Sequence, residues 1–193
     1  MTFADLFERA AALGGDFDEA DVRRALGDVR GASTAGDTDD SDRGDAVSDP
    51  LEPSPARVVA DADALAADLL VGGTAREALD ALRSHAWTTL VASDPLLDDA
   101  EAVIASLSDP DLAADWRAAV ESWREPVAQP PGDHPALASA YRGGAMQVVS
   151  LDPSLTGPGA AAGLRDRLPV SVREPRAFAT VFDPAKLYPD AVG

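Results

Sequence analysis

Apolar residues open the chain at helical spacing. Phe3, Leu6, Phe7 and Ala10 share one face, the stretch GGDFDE intervenes, and Val22, Ala25, Leu26 and Val29 repeat the spacing. Positions i, i+3, i+4 and i+7 fall on one side of an α-helix, so residues 1–30 are predicted to form a small helical hairpin. The pattern then stops. GASTAGDTDDSDRGDAVSDPLEPSPA, residues 31–56, holds seven acids and one arginine with almost no large apolar residue. Such a segment buries too little surface to offset its ordering entropy, which predicts an acidic disordered linker.

From Arg57 onward short apolar runs alternate with helical periods. RVVAD reads as a first strand, followed by a helix over Leu65–Leu70 and a second helix in TAREALDALRSH, where Thr74 and Glu77 are spaced as a capping box. AWTTLVA is the second strand, and a helix runs from Pro95 to about Leu107. Leu112, Trp116, Ala119, Val120 and Trp123 then mark one helical face, which assigns both tryptophans to the core. PVAQP is a short strand, HPALASAYRGG a helix closed by glycine, AMQVVSL a strand, GAAAGLRDRL a short helix and PVSV a last strand before EPRAFATVF. Strands alternating with helices predict an α/β domain with a mainly parallel sheet over residues 57–193.

Composition narrows the chemistry. Without cysteine and with only two histidines, a metal would be held mainly by oxygen. No apolar run reaches the roughly 18 residues of a membrane span, and MTFADLFERA lacks the features of a signal peptide. The expectation is a cytoplasmic protein with no membrane association. A formal charge of −18 ordinarily speaks against nucleic acid. Fifteen of the sixteen basic residues are arginine, however, and with abundant Ala, Asp and Val this resembles halophilic proteins adapted to molar salt. There the Debye length is only about 3 Å, so an acidic surface repels RNA weakly beyond contact distance.

Parallel α/β sheets bind ligands outside the carboxyl ends of their strands, so position in sequence reports position in space. Asp61 closes the first strand, Asp152 closes AMQVVSLD, and Asp133 opens the helix before that strand. The helix after the second strand adds Asp98, Asp99 and Glu101. At 100° per residue its apolar face centres on Ala100; Asp98 points away, and Asp99 and Glu101 flank the face on opposite sides, either of them within reach of the edge. Clustered carboxylates raise one another's pKa values unless a cation joins them, and a hard divalent ion suits oxygen ligands. Ser150 is placed to orient a carboxylate by hydrogen bonding; His134, beside Asp133, could bind metal or shuttle protons but reads first as a surface residue at a helix start, and His85 reads as structural. Judged alone, Asp133 reads equally as a helix N-cap and Asp152 as the opening of an Asp-Pro turn.

These residues also resemble a known family. VVADADAL is similar to the first motif of PIN-domain nucleases, PLLDDAEAVI to their second, GDHPALASAYRGGAMQVVSLD to their third and fourth, and PVSVREPRAFATVF to their common ending. The resemblance covers residues 57–189 in order. It implies a three-layer α/β/α sandwich, RNA cleavage with Mg2+ or Mn2+, and metal-ligand roles for Asp61, Asp99, Asp133 and Asp152, with Asp63 in support. Ala62 stands where the family often has Thr or Ser, and Asp99 where Glu is usual. Arg76, Arg142 and Arg173 are candidates for phosphate contacts. Two alternatives accompany this reading. A PIN-like domain without activity would serve as an RNA- or protein-interaction module, with residues 1–30 docking a partner. The pair Asp61 and Asp63 also resembles the opening of haloacid-dehalogenase-like phosphatases, one carboxylate being nucleophile and the other acid/base. The RNA target, a toxin or maturation role, an antitoxin-like partner and oligomeric state stay open.

Overall fold

Uninterrupted apolar runs build the centre of the molecule, as strands covered on both faces require. The computed structural model describes residues 1–36, 49–129, 134–159 and 169–187. Its strands are β1 Ser54–Ala60, β2 Thr89–Ser93, β3 Glu125–Val127, β4 Ala145–Val149 and β5 Ser171–Arg173. They form one five-stranded sheet in the order β3-β2-β1-β4-β5, with every pairing parallel. Val58, Val59, Ala60, Leu90, Val91, Ala92, Val148 and Val149 are fully buried in it.

The helices are α1 Phe3–Leu13, α2 Glu19–Gly36, α3 Ala62–Leu70, α4 Gly73–Arg83, α5 Asp94–Leu107, α6 Pro110–Glu121, α7 Pro135–Gly143, α8 Pro153–Thr156 and α9 Pro175–Val181, followed by a 3-10 turn at Pro184–Leu187. α7 lies across β1, β2, β3 and β4. α3 and α5 stand against β1 and β2, with α1, α2, α4 and α6 packed on those two helices, which gives the three-layer α/β/α sandwich. On α5 the apolar face is the expected one: Leu96, Leu97, Ala100, Val103 and Ile104 are all buried. α7 ends at Gly144, whose φ of +63° is left-handed; a Cβ there would run into the Glu52 carbonyl oxygen. No helix among the described residues is long and apolar enough to cross a membrane.

The hairpin at the start of the chain forms as its spacing predicts, but it shares the core of the domain that follows. Leu6, Val22, Ala25 and Leu26 belong to the same buried cluster as the sheet. The Phe3 ring meets Trp123 edge-on at 5.4 Å, and the Arg76 guanidinium lies 3.8 Å from the centre of the Phe7 ring. Trp116 is buried, so both tryptophans are packing residues.

Several local expectations change. α2 extends to Gly36 and β1 begins at Ser54, so regular structure enters the expected linker from both ends; residues 37–48 lie outside the described residues. The Thr74 and Glu77 capping box does not form. Two glycines with positive φ, Gly72 at +76° and Gly73 at +54°, start α4 earlier, which places Thr74 inside the helix with its hydroxyl near Glu19. The helix expected in GAAAGLRDRL falls on residues 160–168 apart from its first position, outside the described residues. Arg76 donates to the carbonyls of Asp68 and Leu69 and Arg173 to the Gln147 side chain, so both guanidiniums are engaged within the chain.

Candidate functional site

The chain winds outward from β1 through β2 to β3, then returns to lay β4 and β5 on the other side of β1. The carboxyl ends of β1 and β4 therefore flank the topological switch point, where open α/β sheets form a crevice. Each of the two strands delivers polar groups to it. The Asp61 amide donates to the Val149 carbonyl at 2.8 Å, which ties the first residue after β1 to the end of β4. Its side chain caps α3 by accepting from the Ala62 amide at 2.8 Å. Ser150, just past β4, donates its hydroxyl to Asp61 Oδ2 at 3.1 Å and lies 3.4 Å from Asp63 Oδ2. The same hydroxyl oxygen accepts from the Asp152 amide at 3.1 Å.

Asp61 and Asp63 sit side by side with almost no solvent contact, at 0% and 1% exposure. Asp63 accepts from the Leu151 amide at 3.0 Å and the Ala64 amide at 2.6 Å. Burial, and then the neighbouring charge of Asp61, nevertheless push its pKa up to about 8, against those two amides and Arg30. Asp63 therefore carries a proton at neutral pH, as one member of a crowded acid pair does.

The cation facing this pair comes from the hairpin. Arg30, on α2, places Nη2 at 3.1 Å from Asp61 Oδ1 and Nε at 2.8 Å from Asp99 Oδ2. Burial opposes its charge, and Asp61 and Asp99 outweigh that, leaving its pKa above the ordinary value. Nη1 lies 3.3 Å from His134 Nε2. An arginine only donates, so Nε2 is the acceptor and the imidazole carries its proton on Nδ1. Burial is the main reason that the His134 pKa is lowered; Arg30 acts in the same direction, while Asp61, Asp152 and Asp99 oppose it. Nδ1 is buried without a hydrogen-bond partner among the described residues. Partly buried within the fields of these three acids, His134 is not the plain surface residue its sequence neighbours suggest.

The structure thus brings Asp61, Asp63, Asp99, Asp152, Ser150 and His134 to one edge. Asp99 rather than Glu101 is the acid of α5 that faces it: Glu101 lies on the other flank, 3.7 Å from Arg117 on α6, and Asp98 points outward to the same arginine. Asp152 caps α8 by accepting from the Ser154 amide at 2.7 Å, which is the turn role its Asp-Pro context offers. Asp133 lies outside the described residues. His85 is bound at Nδ1 to the Ala81 carbonyl and is structural.

Arg30 was missed by reading the acids alone. One signal pointed to it: Arg30 follows Leu26 by one helical turn, so it lies at the margin of the hairpin face that packs inward.

The donor set suits a hard divalent ion in kind, since Asp61 and Asp99 already turn oxygens toward one cation. As arranged, that cation is the guanidinium, and among the described residues no three acids or histidines are grouped to hold a metal.

No curated protein and no solved structure matches the chain. The family DUF7384, described as a family of unknown function, matches residues 52–193, which include every acid of the site and leave out the hairpin that carries Arg30. By that match over most of its length, the chain belongs to the DUF7384 family.

Proposed function

We propose that the chain is a metal-dependent hydrolase of RNA phosphodiester bonds, working with Mg2+ or Mn2+. The observation that carries this is the convergence of Asp61, from the end of β1, and Asp99, from α5, on one cationic group at the switch point of a parallel sheet. RNA as the substrate class rests on the ordered resemblance to PIN-domain nucleases.

In this reading Asp61 and Asp99 hold the ion, and Asp152 stands beside them; Asp133 has the same role by resemblance. When bound, the ion would lower the pKa of a water and offset charge developing on the phosphate. Ser150 keeps the Asp61 carboxylate oriented through Oδ2, leaving Oδ1 toward the cation. His134, kept neutral by burial, has Nε2 available to accept a proton once Arg30 no longer donates to it. Asp63 holds a proton behind the ligand and limits the negative charge that the pocket accumulates. The phosphatase alternative has weaker support. A nucleophilic carboxylate must reach phosphorus, and Asp61 is fully buried with both oxygens already engaged.

The interaction-module reading draws on one observation, the arginine already paired with Asp61 and Asp99. An assay separates the two. Mn2+-dependent cleavage of single-stranded RNA in high KCl is expected for wild type and for Arg30→Gln, with loss of at least about a hundredfold in Asp61→Asn, in line with removal of a charge-stabilising group. Equal cleavage by wild type and Asp61→Asn removes the site from consideration. No cleavage by either wild type or Arg30→Gln favours the module.

A further inference from the structure

We infer that the N-terminal hairpin is an internal plug: Arg30 occupies the cation position of the acid site, and a divalent ion binds only by displacing it. This rests on the metal-binding reading above and adds a regulatory contact to it.

Four observations converge. First, the guanidinium uses separate nitrogens for two carboxylates on different elements, Asp61 after β1 and Asp99 on α5, and a third nitrogen faces His134. The oxygens it takes, Asp61 Oδ1 and Asp99 Oδ2, are the ones these two acids turn toward a shared cation. Asp61 Oδ1 also accepts from the Ala62 amide, so with Arg30 in place both acceptor positions of that oxygen are taken, and a metal on it must displace the guanidinium. Occupation by Arg30 and by a metal therefore exclude each other.

Second, the arrangement is more than a chance surface pair. Asp61 is fully buried and Asp99 is 16% exposed, while the Arg30 side chain keeps 26% exposure. The acids are fixed by the core and the arginine approaches from the solvent side. Third, the region shared with the family begins at residue 52. The acids lie inside it and Arg30 lies outside, on a hairpin that packs into the same core. Fourth, the contact between α2 and α5 is incompletely filled. A cleft of about 300 Å³, lined by Ala25, Val29, Ser106 and Leu107 among others, runs between them one turn from Arg30.

The test is Mn2+ binding by the full chain, measured by titration calorimetry and by the loss of the free-Mn2+ paramagnetic resonance signal, without RNA. Arg30→Gln is expected to bind Mn2+ at least about tenfold more tightly than wild type, because one competing cation is removed from the same oxygens. Arg30→Lys, which keeps the charge and loses the fork, is expected to gain less, and it carries the test if Arg30→Gln fails to melt cooperatively. Asp61→Asn is expected to abolish binding in each background. Equal Mn2+ affinity in wild type and Arg30→Gln, with Asp61→Asn silent, overturns the plug and leaves the metal site standing. Weaker binding by Arg30→Gln also overturns it. Absence of Mn2+ binding from wild type and both Arg30 variants overturns plug and metal site together.

Discussion

Replacing Asp63 by asparagine is expected to help the chain more as pH rises. Burial, with the charge of Asp61 added to it, lifts the Asp63 pKa from 3.8 to about 8. A group that binds its proton more tightly when folded favours folding fully below its unfolded pKa, and that contribution disappears as pH rises through its folded pKa. The window for Asp63 therefore runs from 3.8 to about 8. Inside it the wild type loses about 1.4 kcal/mol for each pH unit, or about 3 kcal/mol between about pH 5 and about pH 7. Asparagine does not titrate. It begins with a deficit, because its amide group replaces one of the oxygens that meet the Leu151 and Ala64 amides and the Ser150 hydroxyl. That deficit is about 1–3 kcal/mol and independent of pH. Urea unfolding of both proteins at several pH values, with chelator present and equal m-values, reads the difference directly. The stability gap should move in favour of Asp63→Asn by about 3 kcal/mol from about pH 5 to about pH 7. Parallel curves across that range would refute the assignment of a protonated Asp63.

Two further outcomes test the scaffold. Arg83→Met leaves Asp68, 2% exposed, without the two bonds of 2.7 and 2.8 Å that now hold it; the expected cost is about 3–5 kcal/mol, seen as a melting temperature lower by about 6–20 °C. Burial already raises the Asp68 pKa and Arg83 opposes that rise, so the deficit should shrink as pH falls, and an unchanged melting temperature would show the pair to be dispensable. Gly144→Ala forces a left-handed φ of +63° on alanine and drives its Cβ into the Glu52 carbonyl, with an expected loss of about 1–3 kcal/mol. Thermal melts equal to wild type would mean that the β4 entry relaxes freely.

The layers of the fold were legible because each depends on local pattern. Val58 to Ala60 form an uninterrupted apolar run and become a central strand; Leu96, Leu97, Ala100, Val103 and Ile104 repeat at helical spacing and become a buried face. The choice between Asp99 and Glu101 was not legible, since both lie equally far from the centre of that face. It is decided by neighbours distant in sequence: α6 brings Arg117 to the Glu101 flank, and α2 brings Arg30 to the Asp99 flank. Thr74 misled for a local reason, because the glycines before it reach positive φ and start the helix ahead of the expected cap. For His134 the surface reading fell for a tertiary reason, since nothing beside it in sequence reports that α2 will bring a guanidinium to its Nε2.

Charge at the site is settled locally, and this bears on how the acidic composition should be read. A net charge of −18 describes the whole chain. Asp61 and Asp99 nonetheless share a guanidinium, and burial with the charge of Asp61 raises the Asp63 pKa to about 8, so the pocket carries less negative charge than its acids would in water. Residues 1–30, which the interaction-module reading gives a partner to dock, pack on their own domain through Leu6, Val22 and Leu26 and send Arg30 inward. Removing that hairpin would at once strip apolar cover from the core and leave buried Asp61 without its counter-cation. A truncated chain that lost activity would therefore say nothing about catalysis by the hairpin. Single substitution at Arg30 separates the two contributions, because it alters the charge facing Asp61 and Asp99 while leaving Leu6, Val22 and Leu26 in the core.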